Sequence, residues 1–221
     1  EEALRAQAVI LRTRTCRTLE SGVPHEDGCF CAGCEYCFSF TTTVTAASHN
    51  AARATAGEVL RYNGALIDAR FHLSSCEYTA SAYELTGEDI PYLVSVDTPD
   101  ESGFSAFVNT VTIPLDQLAA AFPDRTLSFE ANDLYLSYYD SGRIKNVFFG
   151  DTAVAGGALA TAFALKSQRF DAAIRDGALV ITTYGDGLGL SQYGAYLLAQ
   201  SGQTYKDILL HYYRSVEISE I

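Results

Sequence analysis

The spacing of apolar and polar positions first predicts a helix, over residues 3–20, which Ser21-Gly22 ends. Its expected apolar stripe consists of Leu4, Ala8, Leu11 and Thr15. A second helical segment, AASHNAARATAG, comes before the first strand patterns, and Gly57 is its expected C-terminal cap. The chain therefore opens with helices.

Strand patterns take over after residue 57. EVLRY and ALIDARFHL flank Asn63-Gly64, which predicts a hairpin with a type I′ turn. Further strands are predicted in LYLSYY, RIKNVFF and ALVITTY, each bounded by Gly or Asp. Thr98 to Gly103 is rich in turn residues.

Helical patterns lie between and after these strands. PLDQLAAAF and GGALATAFAL are short, and SQYGAYLLAQSG and TYKDILLHYY form two helices at the end, the last with a capping box of Thr204 and Asp207. Helices and strands mix without regular βαβ alternation. The sequence thus predicts an α+β fold with mainly antiparallel strands and a single domain over residues 1–221.

Composition narrows the function classes. The formal net charge is −12, which argues against broad binding to nucleic acid or to anionic lipid. No apolar run reaches the roughly 18–20 residues of a membrane span. The sequence has no Met and starts at Glu1, so we expect a mature or trimmed piece of a longer product.

Cysteine use is concentrated near the front, in the segment HEDGCFCAGCEYC. It offers five candidate ligands, namely His25, Cys29, Cys31, Cys34 and Cys37. Thiolates and an imidazole in one short loop suit tetrahedral zinc, which takes four such ligands in a structural site. Local disulfides and free thiols are the alternatives.

A glycine-rich segment, GDGLGLSQYGA, follows a predicted strand and leads into a helix. This arrangement presents backbone N–H groups to an anion or a polar ligand. The third glycine of a dinucleotide-binding fingerprint is replaced by Leu190, so that motif is absent. The structural alternative is a tight turn in which Ser191 caps the helix.

Taken together, these segments resemble the stage II sporulation protein D family. ALRAQAVILRT, GEVLRYNGALIDARFHLSS, DIPYLVSVDTP, GRIKNVFFG, GDGLGLSQYGA and TYKDILLHYY stand in the order of the family's motifs. The resemblance implies one α+β body with a glycan cleft and a zinc-binding loop.

The activity that the resemblance implies is lytic transglycosylation of denuded peptidoglycan strands. One glutamate acts as acid and then as base, and the sugar's own 6-hydroxyl closes a 1,6-anhydro ring. In the family that glutamate precedes the ALRAQAV helix, so we expect the catalytic acid to lie before residue 1. The alternative is a non-catalytic glycan-binding protein, or a cell-wall complex partner, of the same fold.

The resemblance also implies site residues. The expected glycan contacts are Arg12, His72, Ser75, Ser191, Gln192 and Tyr193. Arg12 and Gln192 should meet at one open-ended groove. Arg12 has a surface charge as its alternative role, and His72 a purely structural one. The protein is expected to act outside the cytoplasm, exported or anchored through a segment before residue 1, with other sporulation proteins as further partners.

The first testable prediction concerns the metal. We expect one zinc ion on His25, Cys31 and Cys37, whose spacing resembles the family's site, with Cys34 as the fourth ligand and Cys29 as its alternative. Metal analysis of protein purified without chelator should give one zinc per chain. A zinc-free protein whose mass shows disulfides would refute the prediction.

Overall fold

The computed structural model has an α+β fold with mainly antiparallel strands, as the sequence predicts. It describes residues 1–22, 43–104, 107–185 and 187–221. The chain divides into two compact units, one of residues 1–70 with 195–221 and one of residues 71–194. Whether these units form a single domain stays a prediction.

The first unit combines helices with a three-stranded antiparallel sheet. Its helices are α1 (Glu2–Ser21), α2 (Ala46–Ala54), most of α6 (Gln192–Gln200) and α7 (Tyr205–Tyr212). Its strands are β1 (Glu58–Tyr62), β2 (Ala65–Leu66) and β11 (Glu217–Glu220), in the order β11-β1-β2. The predicted capping box of α7 is present, with Thr204 and Asp207 bonded to each other's backbone amides.

The buried face of α1 differs from the predicted stripe. Its buried residues are Ala6, Val9, Ile10 and Thr13, whereas Leu4 is 41% exposed. Both sets fit the three- to four-residue repeat of a helix, so periodicity alone could not choose between them. On the buried face, Thr13 accepts a hydrogen bond from the Leu60 amide at 2.9 Å, which joins β1 to that face.

The predicted hairpin is confirmed, although its second strand is short. Asn63 and Gly64 both have positive φ, 50° and 79°, as a type I′ turn requires. After β2 the chain turns at Asp68, whose carbonyl accepts a hydrogen bond from the Arg70 amide. The segment ALIDARFHL is therefore divided between β2 and a later strand rather than forming one.

The second unit holds two three-stranded antiparallel sheets and a short parallel pair. One sheet has the order β4-β9-β8, from β4 (Val108–Pro114), β8 (Phe170–Arg175) and β9 (Ala178–Tyr184). The other has the order β5-β6-β7, from β5 (Leu134–Tyr138), β6 (Ile144–Phe149) and β7 (Thr152–Ala155). The parallel pair is β3 (Phe71–His72) with β10 (Leu190–Ser191).

Short helices complete this unit, namely α3 (Ala82–Thr86), α4 (Leu115–Ala121) and α5 (Gly156–Ala162). Its core includes apolar side chains of both sheets, among them Ile113, Val147, Phe149, Phe170 and Ile181. Pro114 ends β4 and is the N-cap of α4, one position before the first turn where the sequence placed it. Among the described helices, none is long and apolar enough to span a membrane.

Candidate functional site

The short parallel pair brings two distant motifs together. Ser191 of β10 lies opposite His72 of β3, and the Tyr193 amide donates to the Leu73 carbonyl at 3.0 Å. The glycine-rich segment is thereby fixed beside the end of FHLSS. Three of the predicted glycan contacts, His72, Ser75 and Ser191, meet at this place.

His72 and Ser75 form a hydrogen-bonded pair with a defined direction. His72 Nδ1 lies 3.1 Å from the Leu188 carbonyl oxygen, which can only accept, so Nδ1 carries the proton. Nε2 is then an acceptor, and the Ser75 hydroxyl donates to it at 2.7 Å. Burial, and to a lesser extent the charge of Arg143, lower the pKa of His72 to about 4 against the Leu188 hydrogen bond, which raises it. The imidazole is neutral at neutral pH.

This pair has the connectivity of a serine nucleophile and its base, but it is closed to a substrate. Ser75 is 0% exposed and His72 is 7% exposed. A nucleophile must reach the reacting carbon. The buried pair therefore serves to hold the backbone of residues 72–75 in place.

Glu101 joins these residues into one network. Its Oε2 accepts hydrogen bonds from the Ser75 amide and from the Ser191 hydroxyl, both at 2.7 Å. The residue is 2% exposed, and its Oε1 is buried without a hydrogen-bond partner among the described residues. Burial raises the pKa of Glu101 to about 7, although the hydrogen bonds from Ser191 and Ser75 lower it.

Ser191 has two roles at once. Its Oγ donates to Glu101 and accepts a hydrogen bond from the Gly194 amide at 3.1 Å, so it also caps the start of α6. The structural alternative considered for the glycine-rich segment is thus confirmed, and the bond to Glu101 is added to it. Ser191 is 0% exposed, so its hydroxyl supports the site from within.

The two residues after Ser191 remain accessible in part. Gln192 and Tyr193 begin α6 and are half-buried. The Tyr193 ring packs against Phe104 with centroids 5.1 Å apart. These two side chains are the predicted contacts of this unit that a ligand can reach.

Gly185 fixes the other side of Ser75. Its φ is +59°, and a Cβ there would lie 2.8 Å from the Ser75 carbonyl carbon. Its amide donates to the Phe107 carbonyl at 2.7 Å. The first glycine of the loop is required because two backbone segments approach closely here.

A cavity of about 720 Å³ adjoins the network. Carboxylates line much of it, namely Glu77, Asp97, Asp100 and Glu101, beside the apolar surfaces of Tyr78, Pro99 and Phe107. Ser191, Gln192 and Tyr193 are not among its lining residues. The cavity is therefore distinct from the groove that the sequence predicts, and that groove stays a prediction.

Arg12 lies in the first unit and has structural partners there. Its guanidinium donates to the Glu58 carbonyl at 2.8 Å and to the Ala52 carbonyl at 3.2 Å. These bonds link α1 to the end of α2 and the start of β1. The expectation that Arg12 meets Gln192 stays a prediction.

The metal residues His25, Cys31, Cys34 and Cys37 lie outside the described residues, as does Cys29. Across the described ranges, no cluster of three or more His, Cys, Asp or Glu side chains could hold a metal ion. The zinc prediction is therefore still to be tested.

Sequence reasoning missed Glu101, which it treated as part of a turn. An acidic residue in the segment DTPDESG is typical of an exposed turn, and its neighbour Asp100 is indeed exposed. Only the approach of Ser75 and Ser191, from segments 26 and 90 residues away in sequence, distinguishes Glu101. No local signal carries that information.

A glycine substitution tests the backbone packing. We expect Gly185→Ala to lower the free energy of unfolding by about 2–4 kcal/mol, because the new Cβ meets backbone at a positive φ. Gly187→Ala is the matched control, since its Cβ would meet only side-chain atoms, Leu85 Cδ1 at 3.4 Å and Ala80 Cβ at 4.0 Å. Gly187→Ala should lower the free energy of unfolding by less than about 1 kcal/mol. Equal losses in urea denaturation would contradict this packing.

The pH dependence of stability tests the two buried titratable groups. The folded-state pKa of Glu101 is raised from 4.5 to about 7, so its contribution to stability is present below pH 4.5 and is lost as the pH rises to 7. The pKa of His72 is lowered from 6.5 to about 4, so its contribution is present above pH 6.5 and is lost as the pH falls to 4. The two effects oppose each other in the native protein.

Single substitutions should separate them. Relative to wild type, Glu101→Gln should gain stability as the pH rises from 4.5 to 7, by on the order of 3 kcal/mol. His72→Gln should show the opposite trend between pH 4 and 6.5. Urea denaturation at half-unit pH steps measures both. Curves that run parallel to wild type would show that the two groups do not titrate as described.

Comparison with known proteins agrees with the sequence motifs. Residues 1–62 match the model of a family described as Stage II sporulation protein. Stage II sporulation protein D of Bacillus amyloliquefaciens is 28% identical over 173 residues, which are 77% of this chain and 50% of that protein. The protein of the same name from Bacillus subtilis (strain 168) is 27% identical over the same shares.

A third relative carries a different name. The Amidase enhancer of Bacillus subtilis (strain 168) is 25% identical over 268 aligned residues, which cover 96% of this chain and 37% of that protein. The chain thus spans about half the length, or less, of these curated relatives. The match over residues 1–62 and the identity along most of its length make the chain similar to the stage II sporulation protein D family, in agreement with its motifs.

Proposed function

We propose that this chain is the glycan-binding part of a lytic transglycosylase that cleaves denuded peptidoglycan strands during sporulation or cell-wall remodelling. Similarity to this family and to the Amidase enhancer supports a role connected with sporulation and the cell wall. The further step to glycan binding rests on the geometry of the second unit.

Two segments that are distant in sequence meet at Glu101, and this arrangement is the main support for the proposal. Segments around residues 72–75 and 188–194 hold the glycan contacts that the resemblance implies, and the Glu101 carboxyl connects them at 2.7 Å on each side. A binding surface needs side chains that are already oriented before the ligand arrives. The network supplies such support beneath the start of α6.

Gln192 and Tyr193 are the residues that would touch the sugar. The Gln192 amide offers donors and an acceptor, which suits hydroxyl and N-acetyl groups. Tyr193 packs against Phe104 with the two rings tilted by 31°, and it can offer its other ring face to a sugar ring. A neutral glycan needs no basic field, so the net charge of −12 is compatible with this ligand.

The proposed cleavage needs one carboxylic acid. The acid protonates the glycosidic oxygen as the C1–oxygen bond breaks, and the resulting carboxylate then takes the proton of the 6-hydroxyl while O6 bonds to C1. No water is consumed, and the product is a 1,6-anhydro sugar. The resemblance assigns this acid to a glutamate before residue 1.

The remaining parts of the proposal follow from the same resemblance. Structural zinc on His25, Cys31, Cys34 and Cys37 would stabilise the segment that holds them. We propose that the protein acts outside the cytoplasm, on glycan strands and beside other cell-wall proteins of sporulation.

A second candidate is a non-catalytic partner of a cell-wall enzyme. The similarity to the Amidase enhancer, which covers 96% of this chain, favours it. In that case the same surface would bind glycan, or a partner, without cutting the strand. The two candidates share the binding step and differ in bond cleavage.

The test compares residues 1–221 with a form extended upstream in the native sequence. Both should sediment with denuded glycan strands, and only the extended form should release 1,6-anhydro products, detected by mass spectrometry. Binding by both without release by either would favour the non-catalytic candidate. Release by residues 1–221 alone would show that the acid lies within this chain, and lack of binding by both would refute the proposal.

A matched pair of variants tests the proposed surface. Gln192→Ala should weaken glycan binding about tenfold, because it removes hydrogen bonds to the ligand. Gln200→Ala lies at the other, exposed end of α6 and should bind as wild type. Equal binding by both variants would place the glycan elsewhere.

A further inference from the structure

We propose that Glu101 is a positioning residue, which fixes the start of α6 so that Gln192 and Tyr193 face the ligand. The inference rests on the proposed function for the identity of that ligand. Glu101 itself touches no substrate in this proposal. It acts through Ser75 and Ser191.

The pairing of β3 with β10, which precedes α6, is short. The strands β3 and β10 have two residues each, with Phe71 opposite Leu190 and His72 opposite Ser191. So short a ladder leaves few backbone hydrogen bonds to hold residues 191–194, where the following helix begins. A bond from outside the ladder therefore has a large effect on it.

Glu101 sets the direction in which the Ser191 hydroxyl points. A hydroxyl has one hydrogen, and Ser191 gives it to Glu101 Oε2 at 2.7 Å. This choice turns the lone pairs of Oγ toward the Gly194 amide, which donates to it at 3.1 Å. Glu101 thereby orients the cap of α6. Without the carboxyl, the hydroxyl is free to rotate.

Glu101 also binds the segment that follows β3. The same Oε2 accepts from the Ser75 amide at 2.7 Å, and Gly185 packs against the backbone of Ser75 from another direction. Ser75 in turn donates to His72 on β3. One carboxylate oxygen therefore connects the segment after β3 to the first turn of α6.

The loop that carries Glu101 makes a second contact with the start of α6. Three residues after Glu101, the Phe104 ring packs against Tyr193 at 5.1 Å between centroids. The Phe104 amide donates to the Glu101 carbonyl at 2.9 Å, so the two contacts belong to one turn. The loop thus touches both Ser191 and Tyr193.

The charged groups around Glu101 leave its carboxyl without an ionic partner among the residues that the structure describes. His72 is neutral, and Arg143 acts on His72. The other carboxylates of the adjoining cavity are Glu77, Asp97 and Asp100, and the Cys76 thiol also lines it. Hydrogen bonds, rather than an ion pair, are what Glu101 contributes.

The test uses two substitutions of different character. Glu101→Gln keeps a carbonyl oxygen that can accept from Ser75 and Ser191, whereas Glu101→Ala removes the acceptor. The matched control is Asp100→Ala, the exposed neighbour, whose carboxylate accepts from the Ser102 amide and not from Ser75 or Ser191. All three variants are compared with wild type below their unfolding temperatures.

Amide hydrogen exchange is the first measurement, and it needs no ligand. Glu101→Ala should speed exchange at Tyr193 and Gly194 by about tenfold. Glu101→Gln and Asp100→Ala should remain near wild type there, and Ile181 in β9 serves as a remote reference. No change at α6, or an equal change at Ile181, would overturn the positioning role.

Glycan affinity is the second measurement. Folded Glu101→Ala should bind denuded glycan about tenfold more weakly, and Glu101→Gln should recover the affinity to within about twofold. Full affinity in the alanine variant, despite faster exchange, would overturn the link to the ligand. If wild type binds no glycan while the exchange result holds, the positioning role stands and the proposed function fails.

Discussion

The candidate site in the second unit depends on the hydrogen bonds that the buried carboxyl group of Glu101 accepts. Removing an ionised carboxylate from water is costly unless hydrogen bonds or a counter-charge replace its hydration. Glu101 receives two hydrogen bonds on one oxygen and none on the other within the described part of the chain. The remaining cost appears as the raised pKa of its side chain. Such an arrangement costs stability in order to hold two distant segments together.

Arg12 in the first unit is likewise a charged side chain whose hydrogen bonds to the protein replace part of its hydration. A guanidinium has five donors, and backbone carbonyls at Glu58 and Ala52 satisfy two of them. Those carbonyls lie at the ends of neighbouring elements, so the side chain ties α1 to the sheet. Its structural use is thus visible from its partners, whereas the sequence motif alone allowed either a binding or a structural role.

Local patterns predicted the local features. The capping box at Thr204 and the turn at Asn63-Gly64 are each specified by residues a few positions apart, and both are present. The buried face of α1 and the role of Glu101 were not predictable in this way. Each depends on a partner distant in sequence, the Leu60 amide in one case and Ser191 in the other. The α+β class followed because it requires only the number and order of elements.

Burial separates the motif residues into two kinds. His72, Ser75 and Ser191 are enclosed and bonded to one another or to Glu101, so substituting any of them would disturb the support before it disturbed a contact. Gln192 and Tyr193 remain partly accessible on that support. A motif in which serine caps a helix and the next two residues stay partly accessible would combine folding with the proposed recognition in three consecutive positions. Recognition by such a surface depends on the precision of the helix start more than on the number of polar groups near it.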